Sequence, residues 1–457
     1  MTLSKALLSD LQAELSSDIF LFDEDVRSRM AGIWRDDTIQ ASVLLRPKTT
    51  EETSTALRIC HAHGQSVVTH GGLTGLVEGA ITQPHDLVLS TERMNQIEEV
   101  SPLERTITTQ AGVVLQTLQE TAANAGLMFP LDLGGRGSCT VGGNISTNAG
   151  GNRVIRYGMM RDMVLGLEAV LADGTVISAM NHMIKNNAGY DLKQWFIGTE
   201  GTLGVVTRAV LRCREALNEA PTLLVGLQDF DQLSKFLKHA DRSLRGHLSA
   251  FEVMWQNYYQ LVTDDTAGNA APLSRDYPLY VLVEALGAEE QTALDLLESA
   301  LNEQLIEDAV IAQSEAQRQS LWALRDDVAQ TFRHGPVFLF DVSLRLPDMA
   351  TYVDDVNRGL KARFGDFHNY TLGHVGDGNL HFAIAVGDGG ESARQAVEEA
   401  VYSPLQPIGG SVSAEHGIGL EKKPYLHLAR SESEITLMRQ MKLALDPKGI
   451  LNPGKVV

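Results

Sequence analysis

Residues Pro130–Gly151 read PLDLGGRGSCTVGGNISTNAGG. Seven glycines, with serine, threonine and asparagine between them, argue against a hydrophobic strand or a stable helix here. Glycine lets a flat or charged ligand lie directly on the main chain, and successive exposed N–H groups form concavities that bind anions. The strand pattern VLGLEAVLADGTVIS follows from Val164, so the stretch lies between ordered segments. We therefore expect a ligand cradle rather than an ordinary flexible loop.

Two further glycine-rich segments lie on either side of this one. A predicted strand at 66–69 leads into His70–Leu76 (HGGLTGL), which suits backbone contact with phosphate, although hairpin turns look similar. Ile197–Thr207 (IGTEGTLGVVT) leads into another strand. Three such segments favour a ligand-binding domain more than any one of them does. The G-x-G-x-x-G fingerprint after an opening strand is missing, so a nicotinamide-binding Rossmann domain is not supported.

Bulk composition narrows the class of protein. A chain of 457 residues is too long for one core, so two domains are expected. The net charge of −20 argues against nucleic acid or an anionic membrane surface as the main partner. Cys60, Cys139 and Cys213 do not pair evenly and lack metal-ligand spacing, which favours a reduced, cytoplasmic protein. The start, MTLSKALLSDLQAEL, does not resemble a signal peptide, and no apolar run is long enough to cross a bilayer.

The order of predicted elements indicates the fold class. Composition shifts near 215–221, and beyond it helices and strands mix without steady βαβ alternation. We therefore expect an α+β fold with an antiparallel sheet in the second part. The main predicted strands are 41–45, 86–90, 106–110, 164–171, 175–178, 222–227, 248–254 and 278–286, and the main helices are 50–63, 113–125, 230–240 and 290–305.

Arg325 stands out in a predicted helix over Gln319–Arg333. It shares a stripe with Leu321, Val328 and Phe332. Its stem could pack while the guanidinium reaches water. Alternatively, the guanidinium could clamp a carboxylate inside a pocket, since arginine binds carboxylates in a bidentate fork. The spacing favours neither interpretation.

The predicted strand Val337–Leu346 has one apolar and one mixed face. A strand alternates its side chains between the two faces of the sheet. The apolar face carries Phe338, Phe340, Val342 and Leu344, and the mixed face carries Val337, Leu339, Asp341, Ser343 and Arg345. The mixed face is either solvated or lines a site.

Three histidines lie in glycine-rich contexts late in the chain. Gly373–His381 reads GHVGDGNLH, and its Gly-Asp-Gly-Asn turn can bring the two histidine rings to one point. Ser413–Gly419 reads SAEHGIG and places Glu415 beside His416. Two histidines and a glutamate form a plausible divalent-metal site with open positions. The remaining histidine could act as a general base. The alternative to such a site is that the three histidines lie in unrelated turns.

The motifs together resemble the FAD-dependent 2-hydroxy acid dehydrogenases of the vanillyl-alcohol oxidase type. The resemblance covers nearly the whole chain. It is carried by RPKTTEE, GGLTGLVEGA, the Pro130–Gly151 stretch, NAGYDLKQWFIGTEGTLG, GHVGDGNLH, SAEHGIG and LDPKGILNPGK. It implies an FAD-binding domain of two α+β subdomains at 1–215 and a substrate domain at 216–410, whose antiparallel sheet is covered by helices. It also implies a C-terminal segment, 411–457, that returns to complete the FAD domain and the active site.

The resemblance implies a non-covalent FAD site, because no histidine follows Gly71-Gly72. The pyrophosphate would sit on the Gly71–Gly75 loop, the adenosine half near Gly204 and Val206, and the tail would approach the flavin with Asn452. The residues that match the family's FAD contacts are Gly71, Gly72, Leu73, Thr74, Gly75, Leu76, Pro130, Leu133, Gly137, Ser138, Gly142, Gly143, Asn144, Thr147, Asn148, Ala149, Gly204, Val206 and Asn452.

The resemblance also implies the chemistry. His374, His381 and Glu415 match the family's divalent metal ligands, with zinc as the expected ion. His416 matches its catalytic base and Arg325 its carboxylate clamp. The implied reaction oxidises a D-2-hydroxy acid, such as D-2-hydroxyglutarate, to the 2-oxo acid by hydride transfer to flavin N5.

The resemblance leaves the substrate open. Family members that act on 2-hydroxyglutarate carry polar groups at positions that are here Ala329, Leu339 and Ala383. Arg345, on the same predicted strand face as Leu339, could supply the missing charge. A D-lactate-like or more apolar D-2-hydroxy acid is the alternative substrate.

Two other classes of function are alternatives to an FAD-dependent dehydrogenase. A metallohydrolase would use the histidines and Glu415 without flavin, and a non-catalytic scaffold would bind FAD that no 2-hydroxy acid reduces. The resemblance favours an electron-transfer flavoprotein or a quinone as the electron acceptor. A homodimer is a separate expectation.

Overall fold

The structure, a computed structural model, describes residues 3–33, 35 and 37–457. The chain forms two compact units. The first comprises residues up to Gly150, then Met159–Ala216 and Glu415–Val457. The second comprises Gly151–Gly158 and Leu217–Ala414. The sequence placed the boundaries at 215 and 410 and left residues 151–158 in the first domain, so the short inserted segment was not foreseen.

The helices and strands are numbered in chain order. The α-helices are α1 Lys5–Glu14, α2 Glu24–Arg27, α3 Thr50–His63, α4 Leu115–Asn124, α5 Val141–Thr147, α6 Val154–Tyr157, α7 Met160–Met163, α8 Phe230–Leu244, α9 Gln256–Thr263, α10 Glu290–Asn302, α11 Glu315–Asp326, α12 Met349–Phe364, α13 Glu391–Tyr402, α14 Leu426–Ala429 and α15 Glu432–Leu445. The strands are β1 Phe20–Phe22, β2 Val43–Leu45, β3 Val67–His70, β4 Leu87–Ser90, β5 Ile97–Ser101, β6 Thr106–Gln110, β7 Leu127–Met128, β8 Val164–Val170, β9 Val176–Ala179, β10 Val205–Arg212, β11 Arg214–Glu215, β12 Thr222–Leu227, β13 Leu248–Trp255, β14 Leu279–Ala285, β15 Asp308–Ile311, β16 Phe338–Ser343, β17 His368–Gly373 and β18 Asn379–Ala385.

The first unit contains two main sheets. One has the order β1-β2-β4-β3, with parallel pairing among β2, β4 and β3. The other is antiparallel, with the order β5-β6-β10-β8-β9. Helix α3 begins where the Thr49 hydroxyl caps the N–H of Glu52 and ends at Gly64, whose φ of +66° few other residues adopt. Leucines of α1 and apolar residues of α3 pack with β2, β3 and β4 into one buried cluster.

The second unit is built on one antiparallel sheet of seven strands. Its order is β15-β12-β14-β13-β17-β18-β16. The strands β12, β13 and β14 are buried along almost their whole length, as expected for a sheet with both faces covered. This arrangement confirms the predicted antiparallel sheet of an α+β fold.

Two sequence predictions about helices were wrong. The glycine-rich stretch does contain a helix, α5, because the Thr140 hydroxyl caps its first turn and Val141 and Ile145 are buried. The predicted helix at 319–333 begins earlier, at Glu315, and α11 stops at Asp326. A 3₁₀ segment, Val328–His334, then continues the chain and leaves Phe332 exposed.

The described residues contain no helix that is both long and apolar enough to cross a membrane. All three cysteines are buried and none forms a disulfide.

Candidate functional site

In the first unit, the glycine segment His70–Leu76 packs against the glycine segment Pro130–Gly151, backbone against backbone. Strand β3 ends at His70, and the Gly71-Gly72 turn follows it directly. A Cβ atom on Gly72 would lie 2.1 Å from the carbonyl oxygen of Ser138, and one on Gly71 would lie 2.8 Å from the Thr140 hydroxyl. No larger residue fits at Gly72 unless one of these segments moves. The next residue, Leu73, has a φ of +55°, which is uncommon for a residue with a branched side chain.

All the predicted FAD contacts belong to the first unit, but they differ in accessibility. The residues of the 71–76 turn, Leu133, Gly137 and Ser138 are at least partly exposed. Six others are buried, namely Pro130, Gly142, Asn144, Gly204, Val206 and Asn452. A Cβ on Gly142 would meet the Ala111 side chain at 2.6 Å, and one on Gly204 the Phe196 ring at 2.8 Å. These glycines therefore allow close packing of the frame around the turn.

Asn452 fastens the C-terminal tail to the glycine segments. Its side-chain oxygen accepts the N–H of Thr69 at 2.9 Å, and its amide nitrogen donates to the carbonyl of Glu200. Main-chain bonds of 2.7 and 2.9 Å also join Val67 to Ile450 and Asn452. Its predicted approach to the flavin stays a prediction, because the observed partners of this side chain are protein groups.

Glu200, in the third glycine segment, is a half-buried acid that the sequence did not single out. Its carboxylate accepts the main-chain N–H groups of Ile418 and Gly419 at 2.7 and 2.9 Å. Burial raises the pKa of this carboxyl, although those two N–H groups favour its charged form. Lys455, which is buried, donates to the carbonyl of Ile81 at 2.9 Å, and burial lowers its pKa to about 8.

In the second unit, the register of four neighbouring strands gathers the polar residues. Antiparallel pairing of Val253 with Gly373 puts Glu252 of β13 opposite His374, the residue after β17. His381 of β18 pairs with Leu372 on one side and with Asp341 on the other. The rings of His374 and His381 meet edge to face with centroids 5.2 Å apart, and a ligating atom from each lies within 4.8 Å of the other's. The predicted convergence of the two rings is confirmed.

Arg325 is buried in a charged cluster rather than extended to water. Its Nε donates to Glu252 at 2.8 Å, and its Nη2 donates to Nε2 of His374 at 3.2 Å. The interpretation in which its guanidinium reaches water is therefore wrong. Burial opposes the charge on Arg325, but Glu252 raises the pKa of the guanidinium above its ordinary value. The hydroxyl of Tyr258 holds the Arg325 carbonyl at 2.9 Å and so fixes the end of α11.

Glu252 was missed by sequence reasoning. Its carboxylate accepts Nδ1 of His374 at 2.7 Å as well as the Arg325 bond, and the residue is 1% exposed. Burial would raise the pKa of this carboxyl, but His374 and Arg325 outweigh burial and hold the pKa below its usual range. The available signal was a single acid inside the mostly apolar strand pattern LSAFEVMW.

Asp341 hydrogen-bonds to the main chain at Ala414, the residue just before Glu415. It is fully buried, so the mixed face of its strand is not solvated there. Its carboxylate accepts the side-chain amide of Asn379 at 2.7 Å and the main-chain N–H of Ala414 at 3.0 Å. Glu415 and His416 follow Ala414, are partly exposed, and open the last segment of the first unit.

The predicted substrate residue Arg345 is not on the strand face of Leu339. Strand β16 ends at Ser343, and Arg345 is an exposed residue that precedes a 3₁₀ turn at Leu346–Asp348. Leu339 pairs directly with Ala383 of β18; Ala383 belongs to a buried apolar cluster, and the partly buried Leu339 packs against that cluster. Ala329 lies in the 3₁₀ segment after α11 and is exposed, so it does not continue the helical stripe of Arg325.

Comparison with known families identifies the class of protein. Residues 41–179 match the FAD binding domain family, and residues 217–456 match the family of FAD linked oxidases, C-terminal domain. Because the second match covers more than half of the chain, the protein belongs to the FAD-linked oxidases, which are FAD-dependent oxidoreductases. The resemblance inferred from the motifs is confirmed at this level.

Individual relatives are similar over most of the chain. The D-2-hydroxyglutarate dehydrogenase of Stutzerimonas stutzeri is 35% identical over 460 residues, which cover 99% of this chain and 98% of the relative. The mitochondrial enzyme of that name from Bos taurus is 40% identical over 424 residues, 91% of this chain and 77% of the relative. A putative mitochondrial D-lactate dehydrogenase of Schizosaccharomyces pombe is 38% identical over 432 residues, 92% and 82%.

Solved structures share the fold at low identity. p-Cresol methylhydroxylase superposes with a TM-score of 0.76 at 15% identity, over 98% of this chain and 96% of the other. The 4-ethylphenol oxidase of Gulosibacter chungangensis superposes with a TM-score of 0.75 at 17% identity and the same coverage. These likenesses confirm the predicted fold of the vanillyl-alcohol oxidase type.

Proposed function

We propose that the protein oxidises a D-2-hydroxy acid to the 2-oxo acid and passes the two electrons to FAD. The observation that carries this proposal is the buried Arg325 guanidinium beside His374, in a chain of the FAD-linked oxidase family. A buried guanidinium is suited to hold the carboxylate that every 2-hydroxy acid carries.

The first unit fits FAD. The 71–76 turn offers partly exposed main chain next to the exposed Gly137 and Ser138, and the tight contact at Gly72 keeps the two segments together. Main-chain N–H groups in such turns suit a pyrophosphate. When bound, FAD would supply the acceptor for the hydride from the substrate α-carbon. The turn has no histidine after Gly71-Gly72, which supports a non-covalent cofactor.

The residues His374, His381 and Glu415 fit a divalent metal ion, and zinc is the ion we propose. Two imidazoles and a carboxylate match the donor types that zinc takes at catalytic sites. His374 and His381 are already close, and chain continuity places Glu415 one residue beyond Ala414, which Asp341 holds. A bound ion would lower the pKa of the substrate hydroxyl.

We assign the remaining steps to two side chains. Arg325 holds the substrate carboxylate, which fixes the direction in which the α-carbon points. His416 accepts the proton of the hydroxyl group as the C–H bond breaks, because an imidazole ordinarily titrates near neutral pH.

D-2-Hydroxyglutarate is the substrate that the names of several relatives support. The alternative, D-lactate or another monocarboxylic acid, is supported by the apolar pair Leu339 and Ala383 and by the name of the Schizosaccharomyces pombe relative. The exposed position of Arg345 weakens its proposed role toward a second carboxylate.

The proposed electron acceptor is an electron-transfer flavoprotein or a quinone, on the family resemblance, and we also propose a homodimer. Reduction of either acceptor by substrate-reduced protein, and the mass of the protein in solution, test these two points. The cytoplasmic location stays a prediction.

The proposed function is tested by mixing the FAD-loaded protein anaerobically with D and L forms of 2-hydroxyglutarate, malate, lactate and longer apolar acids. We expect the flavin absorption bands to bleach with D acids only. Bleaching by D-2-hydroxyglutarate supports the first substrate, whereas bleaching only by monocarboxylates supports the alternative. A protein that binds FAD but is bleached by no D acid is a scaffold, and one that takes up no FAD yet cleaves esters is a metallohydrolase. Either result refutes the proposal.

A further inference from the structure

We infer that Glu252 is a positioning residue, whose single carboxylate orients both Arg325 and His374 for their proposed roles. The inference rests on the proposed function, since those two residues are its carboxylate clamp and one of its metal ligands. Glu252 touches neither substrate nor flavin in this account, and it acts only through its two neighbours.

The fold places Glu252 where it can reach both partners. The pairing of β13 with β17 places Glu252 opposite His374. Arg325 lies in the last turn of α11, and its Nε donates to the Glu252 carboxylate. Glu252 is the only acid in β13, and every residue of that strand from Leu248 to Met254 is buried. A buried carboxylate is costly unless hydrogen-bonded partners compensate it. The two partners do so here, one on each oxygen.

The hydrogen bonds fix the tautomer of His374. Arginine has donors and no acceptor, so Nε2 of His374 accepts the bond from Nη2 of Arg325. Nδ1 then carries the proton and donates it to Glu252. A histidine that donates one ring N–H to a carboxylate presents its other nitrogen as a metal ligand of fixed direction. Glu252 therefore holds the lone pair of Nε2 toward the proposed ion.

The same carboxylate orients the guanidinium. Oε2 of Glu252 accepts the Nε proton of Arg325, so a substrate carboxylate would approach Nη1 and Nη2, of which Nη1 lies 3.7 Å from a carboxylate oxygen of Asp326. Nη2 now bonds to Nε2 of His374. An ion on Nε2 would exclude that bond, and Nη2 would then turn to another acceptor. The tie to Glu252 keeps Arg325 in place during this exchange.

A second buried glutamate in the same sheet offers a matched control. Glu284 of β14 is fully buried and pairs with Arg153 at 3.0 Å and Arg318 at 3.4 Å. Neither arginine has a proposed role in the reaction. Both glutamates are thus buried acids held by cations, and they differ in that only Glu252 contacts the proposed clamp and the proposed metal ligand.

The test compares Glu252→Gln, Glu252→Asp and Glu284→Gln in the full-length, FAD-loaded protein. The first readout is zinc affinity, measured by competition with a chromophoric chelator. We expect Glu252→Gln to weaken zinc binding about 10- to 100-fold, the usual effect of removing the partner of a ligating histidine. Glu252→Asp keeps the charge but withdraws it by one methylene, so its affinity should fall between wild type and Glu252→Gln. Glu284→Gln should lower the melting temperature and leave zinc affinity within about threefold.

The second readout separates positioning from general damage. With D-2-hydroxyglutarate and with D-lactate, KM should rise in Glu252→Gln more than in Glu284→Gln at equal FAD content. Zinc affinity that is unchanged in Glu252→Gln, or lowered equally in Glu284→Gln, overturns the inference while the proposed function stands. A wild-type protein that binds no zinc refutes the metal proposal and this inference together. If Glu252→Gln does not fold, the graded effect of Glu252→Asp against Glu284→Gln decides.

Discussion

Replacing Gly72 with alanine tests whether the two glycine segments form the FAD cradle. The added Cβ would lie 2.1 Å from the carbonyl oxygen of Ser138, and Cβ atoms essentially never come within 3.0 Å of such an atom. One segment must therefore move by at least 0.9 Å, which is 3.0 less 2.1. Overpacking of this kind costs about 1–3 kcal/mol of unfolding free energy. A shift of that size also stretches a normal hydrogen bond to FAD phosphate beyond its limit.

The lost hydrogen bond sets the size of the effect on FAD. A bond to a charged group contributes about 1.5–3 kcal/mol, so each one lost weakens FAD binding about 10- to 150-fold. The assay is titration of apoprotein with FAD, followed by flavin fluorescence, with thermal unfolding in parallel. Gly134→Ala is the control, because a Cβ there meets nothing within 4 Å and Gly134 is not a proposed FAD contact. FAD affinity in Gly72→Ala equal to that of the control would refute the cradle.

Three further predictions follow from buried contacts. Arg325→Lys keeps the positive charge but loses the bidentate guanidinium, so kcat/KM for a D-2-hydroxy acid should fall about 10- to 150-fold at unchanged FAD content. Steady-state kinetics that show no loss would contradict the role of Arg325 as the carboxylate clamp. Gly373→Ala would place a Cβ 2.4 Å from the carbonyl oxygen of Asn379. Zinc affinity, measured by chelator competition, should therefore drop about tenfold or more. Unchanged affinity would contradict the role of the turn between His374 and His381 in placing the two rings. Burial lowers the pKa of Lys455 from 10.5 to about 8, so the unfolded chain binds more protons between these values and stability rises with pH there. Denaturant unfolding of the apoprotein should show a rise of about 3 kcal/mol from pH 8 to 10.5 that Lys455→Met lacks, and parallel curves would show that Lys455 is not the cause.

Local patterns in the sequence predicted much of the fold and part of the site. Helix α3 occupies the predicted residues 50–63, and the lack of steady βαβ alternation in the second part predicted the antiparallel sheet. The meeting of His374 and His381 followed from the glycine turn between them, because that turn needs few long-range contacts.

Features that depend on tertiary contacts were not predicted from the sequence. Helix α5 forms despite two glycines because its apolar residues are buried, and tertiary burial overrides intrinsic propensity. Glu252 was missed because the β13–β17 register, which links residues far apart in sequence, brings it to His374. Arg345 was misplaced because β16 ends at Ser343, three residues before the end of the predicted strand at Leu346.

The central claim is that a D-2-hydroxy acid gives its electrons directly to bound FAD. The most direct test is an anaerobic single turnover of the FAD-loaded protein with D-2-hydroxyglutarate and with D-lactate, in normal form and deuterated at the α-carbon. We predict flavin bleaching with an equimolar yield of the 2-oxo acid, slower with the deuterated acid. Bleaching that yields no 2-oxo acid, or a flavin that stays oxidised with every D acid, would contradict the account.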